Sequence, residues 1–181
     1  MREIPRLETE RLLLRPFGPG DAVEVQRLAG DRLIADTTLN IPHPYEDGMA
    51  DQWISNHPRI FAEGKGVTFA ITLKSSGALV GAISLMGMTE DHQAELGYWI
   101  GSHCWNQGIC TEAGLAVVRY AFSALGLIRV HASHLTRNPA SGRVLQKLGM
   151  RHESSRRQHR KKWDKYEDLE VYGLLKDEWI E

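Results

Sequence analysis

Residues 105–114 read WNQGICTEAG. A polar segment with one glycine in its middle runs straight into a stretch of helical periodicity. Such a junction leaves the first N–H groups of the helix without intrahelical partners, at the positive end of its dipole, where phosphate binds well. Gly108 lets the backbone approach a ligand with no Cβ in the way, and Thr111 adds a hydroxyl at the helix start. Trp105 and Ile109 are expected to pack one side of the loop and leave its amides facing outward. By spacing alone the stretch reads first as a plain glycine-containing strand–helix connection. It lacks both the Gly-Lys-Ser/Thr ending of a P-loop and the G-x-G-x-x-G of a dinucleotide loop.

On the C-terminal side of the loop, Ala113, Ala116, Val117, Tyr120, Ala121 and Leu125 recur at helical spacing and Gly126 closes the run, which predicts a helix over 111–125. A strand, LIRVHASHL, follows. NPASGRVLQKLG is then a helix with Asn138 as N-cap, Pro139 at its first position and Gly149 at its end. On the N-terminal side, VTFAITL, ALVGAISLMGM and AELGYWIG form a meander of antiparallel strands. Further upstream, RLLLRPF (Arg11–Phe17) is a first strand, Asp21 caps a helix through DAVEVQRLAG, and NIPHPYEDG is irregular. A helix runs from Met49 to about Glu63 with a kink expected at Pro58. Two last segments, 150–160 and 166–174, make a closing hairpin. This order predicts an α+β fold with a mixed, mostly antiparallel central sheet of about seven strands and helices on both faces. The strand–helix–strand unit around 111–125 makes two of the strands parallel.

A chain of 181 residues suits a single domain spanning 1–181. With 42% apolar residues, 25% charged residues and a net charge of −1, it has no global attraction to nucleic acid or to an anionic membrane. No apolar run approaches the roughly 20 residues of a membrane span, and the first residues lack a secretory signal. Cys104 and Cys110 are the two cysteines and form no C-x-x-C pattern, which fits a reducing compartment, so a cytoplasmic location is expected. His131 and His134 point to opposite faces of one strand and, with His152 and His159, gather no Cys or Asp cluster; no metal is expected.

AELGYWIG, WNQGICTEA and NPASGRVLQKLGM, in that order and spacing, resemble the GNAT acyltransferase superfamily. Within it they look most like the Rim-type (RimJ/RimL-like) ribosomal-protein N-terminal acetyltransferases. The resemblance runs from LETERLLLRPF to YGLLKDEW, nearly the whole chain. It implies acetyl-coenzyme A as cosubstrate, lying in a V-shaped opening between the fourth and fifth strands counted from RLLLRPF. The pyrophosphate is then expected on the amides of Asn106, Gln107, Gly108, Ile109, Cys110 and Thr111. The pantetheine is expected to pair with the backbone of Trp99, Ile100 and Gly101. The family usually has Arg or Gln where this chain has Trp105, a change that resembles the Rim-type branch. It has a small residue in place of Cys110, whose larger side chain narrows the loop.

Acetyl transfer to an amine needs a free amine, a donor for the developing oxyanion and a proton for the departing thiolate. By resemblance, the donor is a backbone N–H near Tyr98 or Trp99. Many family members protonate the thiolate with a Tyr that corresponds here to Leu145, so Ser141 is the candidate, acting directly or through water. Its other reading is a first-turn helix serine that satisfies a backbone amide. Asn138 is an N-cap that can also touch the pantetheine arm. Glu95 stands among apolar neighbours, placed to take a proton from the incoming ammonium through water, or else to pair with an adjacent strand. Glu112 suits the helix dipole and is read as structural.

The acceptor mouth is expected from IPHPYEDG and the final hairpin, with His43 and Tyr45 either lining it or packing a helix entrance. The basic run Arg156–Lys165 is a solvated hairpin tip, a guide for an acidic substrate, or an anchor on ribosomal RNA. The resulting reading is an N-acetyltransferase acting on a protein N-terminal α-amine of the ribosomal-protein type. The alternatives are a small amine (polyamine, amino acid or antibiotic) as acceptor, or a catalytically silent coenzyme A-binding module. A homodimer is compatible with the family, although nothing in the chain marks an interface.

Overall fold

The computed structural model describes residues 3–88 and 90–180. Strands β1 (Leu7–Glu8), β2 (Leu12–Arg15), β3 (Gly66–Leu73), β4 (Leu79–Met86), β5 (Gln93–Ile100), β6 (Arg129–Leu135), β7 (Arg151–Lys162) and β8 (Lys165–Leu175) form one sheet in the order β1-β2-β3-β4-β5-β6-β8-β7. Neighbours run antiparallel except β5 and β6, which are parallel. The eighth strand, beyond the seven read from sequence, is β1. It is two residues long, too short to show a period, and pairs Leu7 with Leu14 and Glu8 with Leu13.

The helices are α1 (Ala22–Ala29), α2 (Arg32–Thr37), α3 (Met49–Ala62), α4 (Ile109–Ser123) and α5 (Pro139–Lys147). Helix α2 has no counterpart in the sequence reading, because six residues span fewer than two turns. Its start is nonetheless marked, since Asp31 accepts a hydrogen bond from the Leu33 amide at 2.9 Å. Asp21 stands at the N-cap of α1 but does not cap it. Its carboxylate is held by two bonds from the Arg15 guanidinium, each 2.8 Å, and a third from the Gly18 amide, and Arg15 draws its pKa down. A cation in reach outcompetes an exposed helix amide. Pro58 sits inside α3. Helix α4 starts at Ile109, two residues before the predicted position.

Strand alternation divides the core into two layers. On β3, Phe69 and Ile71 pack with Leu12, Leu14, Val117, Val118, Ala121 and Leu145 under α4 and α5, whereas Ala70 packs with Val25, Leu28, Ala50 and Ile54 of α1 and α3. Each large apolar side chain buried in this way contributes about 1.5–3 kcal/mol. Among the described residues no helix is long and apolar enough to cross a membrane.

The feature that positions the site is a gap in the middle of the sheet. β5 and β6 pair only at Gln93–Arg129, Ala94–Val130 and Glu95–His131. Beyond these, β5 continues along β4 to the Ile100–Gly81 pair, and β6 continues along β8 to the Leu135–Leu169 pair. Each strand keeps its antiparallel partner on the far edge, so the sheet splits where the weaker parallel ladder ends.

Candidate active site

Alternation along β5 decides which backbone groups face the gap. The Gly101 amide donates to Val80 of β4 at 2.8 Å, and on the other edge the Ile128 amide donates to the His92 carbonyl at 2.8 Å. Odd-numbered residues of β5 therefore turn their N–H and C=O to β4, and even-numbered ones turn theirs to the gap. The open edge beyond the last β5–β6 pair consists of Leu96, Tyr98 and Ile100. Of the three positions expected to pair with pantetheine, Ile100 alone presents backbone there. The polar groups of Trp99 and Gly101 are turned to β4, and the Trp99 side chain instead lines the opening. The Ile100 carbonyl is already taken, since the Trp105 indole N–H donates to it at 2.7 Å.

Below this edge lies a cavity of about 500 Å³ lined by Trp105 to Thr111, Asn138, Ser141 and the outer face of α5. Gly108 occupies the N-cap of α4 with φ +76°, and Asn106 also has positive φ (+60°). Gly108 makes no side-chain cap, so the amides of Ile109, Cys110 and Thr111 lack capping partners and point into the cavity mouth. The loop is braced from behind. Arg11 donates to the Gln107 carbonyl at 3.0 Å and to Glu112 at 2.6 Å, while the Thr9 hydroxyl and Arg11 amide also donate to Glu112. Glu112 thus has the structural role read for it. Arg143 and Lys147, one turn apart on α5, also line the cavity, and no carboxylate does among the described residues. These two cations escaped the sequence reading, although their i, i+4 spacing on one helix face was a usable signal. Cys110 is half-buried in the wall, and its desolvation pushes the thiol up to about 12 and leaves it protonated.

Ser141 does not satisfy a helix amide with its hydroxyl. Its Oγ lies 2.8 Å from the Tyr98 hydroxyl, a contact in which either oxygen can donate, and the Tyr98 hydroxyl is 3.2 Å from the Ser141 carbonyl, which can only accept. Burial pushes the Tyr98 phenol well above its ordinary value, so it is neutral. Leu145, one turn after Ser141, is fully buried, and the phenol near α5 comes from the facing strand instead. The sequence reading considered the backbone of Tyr98 and missed its side chain. Asn138 accepts from the Ser141 amide at 3.4 Å and donates to the Thr37 carbonyl at 3.2 Å. Arg137 donates to the Asp36 carbonyl and carboxylate at 2.8 and 3.0 Å, and the Ser102 hydroxyl donates to Asp31 at 2.6 Å. Helix α2 is thereby tied to both banks of the gap. Its last residue, Thr37, and the following Thr38 line the cavities on both sides.

The second cavity, about 400 Å³, opens on the α1–α3 face and meets the first at Thr37, Thr38, Tyr98, Trp99 and Ser141. Glu95 lines it, at the last β5–β6 pair, and accepts from the Ser133 hydroxyl at 3.3 Å. Beside it, burial lowers the pKa of His131 and keeps that imidazole neutral. Tyr45 lines the cavity; His43 is exposed on the outer side of the Pro42–Pro44 turn and does not. No residue of the β7–β8 hairpin lines it either. Lys162 and Trp163, at the hairpin turn, lie against each other with Arg32 of α2 beyond them, while the rest of β7 is exposed. Trp53 of α3 forms part of the cavity wall. Among the described residues no group of three or more His, Cys, Asp or Glu is placed to hold a metal.

A helix end with uncapped amides beside a split sheet, with a hydroxyl pair at the split, has the chemistry that an acyl donor of the coenzyme A type calls for. A family model for an acetyltransferase (GNAT) domain matches residues 11–151. YoaA, an uncharacterized N-acetyltransferase of Bacillus subtilis (strain 168), is 32% identical over 174 residues, covering 95% of this chain and 97% of its own. YdaF of the same organism, described only provisionally as a ribosomal N-acetyltransferase, is 28% identical over 178 residues, 94% of each chain. The solved structure of RimL, the ribosomal L7/L12 α-N-protein acetyltransferase in complex with coenzyme A, matches with a TM-score of 0.87 at 15% identity. It covers 94% of this chain and 98% of its own, a likeness of fold. The chain belongs to the GNAT acetyltransferase family, and it is an N-acetyltransferase.

Proposed function

We propose that the chain, as one domain, moves the acetyl group of acetyl-coenzyme A to a protein N-terminal α-amine, with a ribosomal protein in the cytoplasm as acceptor. The fit of the donor rests on the α4 end. Three uncapped amides, a glycine whose positive φ leaves the approach clear, and Arg143 and Lys147 suit the diphosphate of coenzyme A. The pantetheine arm then follows the Tyr98–Ile100 edge and brings the thioester to the junction of the two cavities. YdaF and RimL, by what their names say, support a protein acceptor.

The acceptor amine enters from the α1–α3 side and gives up its proton through water to Glu95. Its nitrogen attacks the thioester carbon, and the oxygen takes up negative charge facing the Tyr98 amide, which points into the gap. The C–N bond is complete when the C–S bond breaks and the sulfur leaves as thiolate, and the nitrogen sheds its second proton through water to Ser141 as Ser141 gives its own to the sulfur, which leaves an amide, a free thiol and a neutral serine. Ser141 protonates the sulfur: with the Tyr98 phenol proton directed at the Ser141 carbonyl or at its Oγ, the Ser141 proton can turn from the phenol oxygen to the sulfur. The Tyr98–Ser141 pair at the junction is the observation that carries this reading.

The test is thiol release from acetyl-coenzyme A with short peptides bearing free N-termini, with mass spectrometry locating the acetyl group. The expected result is α-amine acetylation that stops when the N-terminus is blocked. Thiol release confined to lysine side chains or to small amines would overturn the protein N-terminal reading.

A further inference from the structure

The acceptor cavity is unusually specific in its chemistry. Four half-buried apolar or amphipathic side chains, Tyr45, Met49, Trp53 and Trp99, form its walls with the exposed Met86 at the edge, and Glu95 is the one charged side chain that lines it among the described residues. Trp53 is held rigidly: Phe17 meets it edge-on at 5.0 Å and His57 at 4.4 Å from behind. At about 400 Å³ the cavity falls within the range of small-ligand sites, so it is large for the side chain of one small residue. A polyamine needs several carboxylates and finds one. A serine or alanine next to the amine would leave most of this apolar wall in contact with water.

We infer that the acceptor carries a bulky apolar group, aromatic or long aliphatic, directly beside its primary amine. This rests on the transferase reading above and deepens it. Glu95, at the closed end of the gap, serves the amine, and the apolar group sits against Trp53 and Met49. The rim residues Leu39 to Pro42 are half-buried or exposed, so the remainder of a peptide can leave the cavity between them. Both a protein N-terminus beginning with Phe, Leu, Met or Trp and a free arylalkylamine have this chemistry. Discrimination comes from burial of the side chain, worth about 10–200-fold for even one methylene in a fitted pocket.

The experiment compares kcat/KM, by thiol release from acetyl-coenzyme A, for the peptides Xaa-Ala-Ala-amide with Xaa as Ser, Ala, Leu or Phe, and for phenethylamine and spermidine. Leu- and Phe-first peptides are expected to exceed Ser- and Ala-first ones by about 10-fold or more. A phenethylamine rate above that of the Phe peptide would assign the free amine as the source, and the reverse order would assign the N-terminus; either supports the inference. Ser- or Ala-first peptides, or spermidine, equal to or better than Phe would overturn it while leaving acetyl transfer intact. No turnover with any acceptor would overturn the transferase reading and leave this inference to be decided by binding. Calorimetric binding of the Phe and Ser peptides to the coenzyme A-loaded protein separates the two, since it requires no chemistry and the same preference is expected. Trp53→Ala should lower kcat/KM for the Phe peptide about 10-fold and for the Ser peptide less than 3-fold. Met49→Ala, at a half-exposed position, is expected to act in the same direction should Trp53→Ala fail to fold. Equal losses for both peptides in a folded variant would contradict the assignment.

Discussion

The two cavities meet at one gap, yet they are made of different material. The donor side is built from backbone: three helix amides, a left-handed glycine and a strand edge at Tyr98 and Ile100. The acceptor side is built from side chains drawn from β4, β5, α1, α3 and the loop before α3. A backbone-made site depends on the path of the chain, so it tolerates changes in most side chains except where φ is positive. A side-chain-made site is redefined by each substitution. One scaffold can therefore keep its donor while changing its acceptor.

The sharpest way to break this contrast is a substitution at the seam. Ser141→Ala should lower kcat about 100-fold, the usual size of a proton-transfer contribution, while the coenzyme A Kd moves less than 3-fold. Steady-state kinetics paired with calorimetry reads both; a loss carried by Kd would mean that Ser141 holds the donor and does not protonate the thiolate.

Next in size is Gly108→Val. A β-branched residue at φ +76° costs about 1–3 kcal/mol, which the loop relieves by leaving that conformation, so the coenzyme A Kd should rise about 10-fold or more, with the melting temperature falling by about 2–4 °C for each kcal/mol of strain that remains. An unchanged Kd would show that the α4 end does not hold the diphosphate.

The acceptor wall makes its own prediction. His57 is buried behind Trp53 with neither ring nitrogen bonded among the described residues, and burial lowers its pKa to about 4. An unfolded His takes its proton near 6.5. Between pH 6.5 and 4 the unfolded chain therefore binds more protons, and stability falls as pH drops through that window. At pH 5 the loss from this residue is on the order of 2 kcal/mol relative to pH 7.5. His57→Leu should remove that part of the pH dependence, read by denaturant titrations at the two pH values, and a wild-type slope retained in the variant would refute it.

The smallest effect expected is Arg143→Ala, an exposed cation. The coenzyme A Kd should rise about 3-fold at low salt, and the difference should fade as ionic strength increases.

The same contrast explains what could be read from the chain. The donor loop lies within one continuous segment, WNQGICTEAG, so its glycine, its helix and its place after a strand are all local signals. Asn138, Pro139 and Gly149 mark α5 in the same way, and the Asn138 cap is found as expected. The acceptor cavity has no such signature. Trp53 shows helical spacing whether it faces the core or a cavity, and only the fold brings it opposite Trp99. Tyr98 was legible as strand but not as the partner of Ser141, since the two are 43 positions apart. His43 was read two residues from Tyr45, and the turn separates them, Tyr45 inward and His43 to solvent. Which strand residues face the gap was likewise hidden, because alternation fixes the two edges only once one cross-strand bond is known. The cation pair Arg143 and Lys147 was local and could have been found.

The central claim is that backbone amides at the start of α4 hold the diphosphate and aim the thioester at the gap. Titrating coenzyme A into ¹⁵N-labelled protein tests it most directly. The account predicts that the largest amide shifts fall on Gly108, Ile109, Cys110 and Thr111, with Tyr98 and Ile100 next. Saturable binding that leaves those amides unmoved, with shifts gathered elsewhere on the sheet, would contradict it.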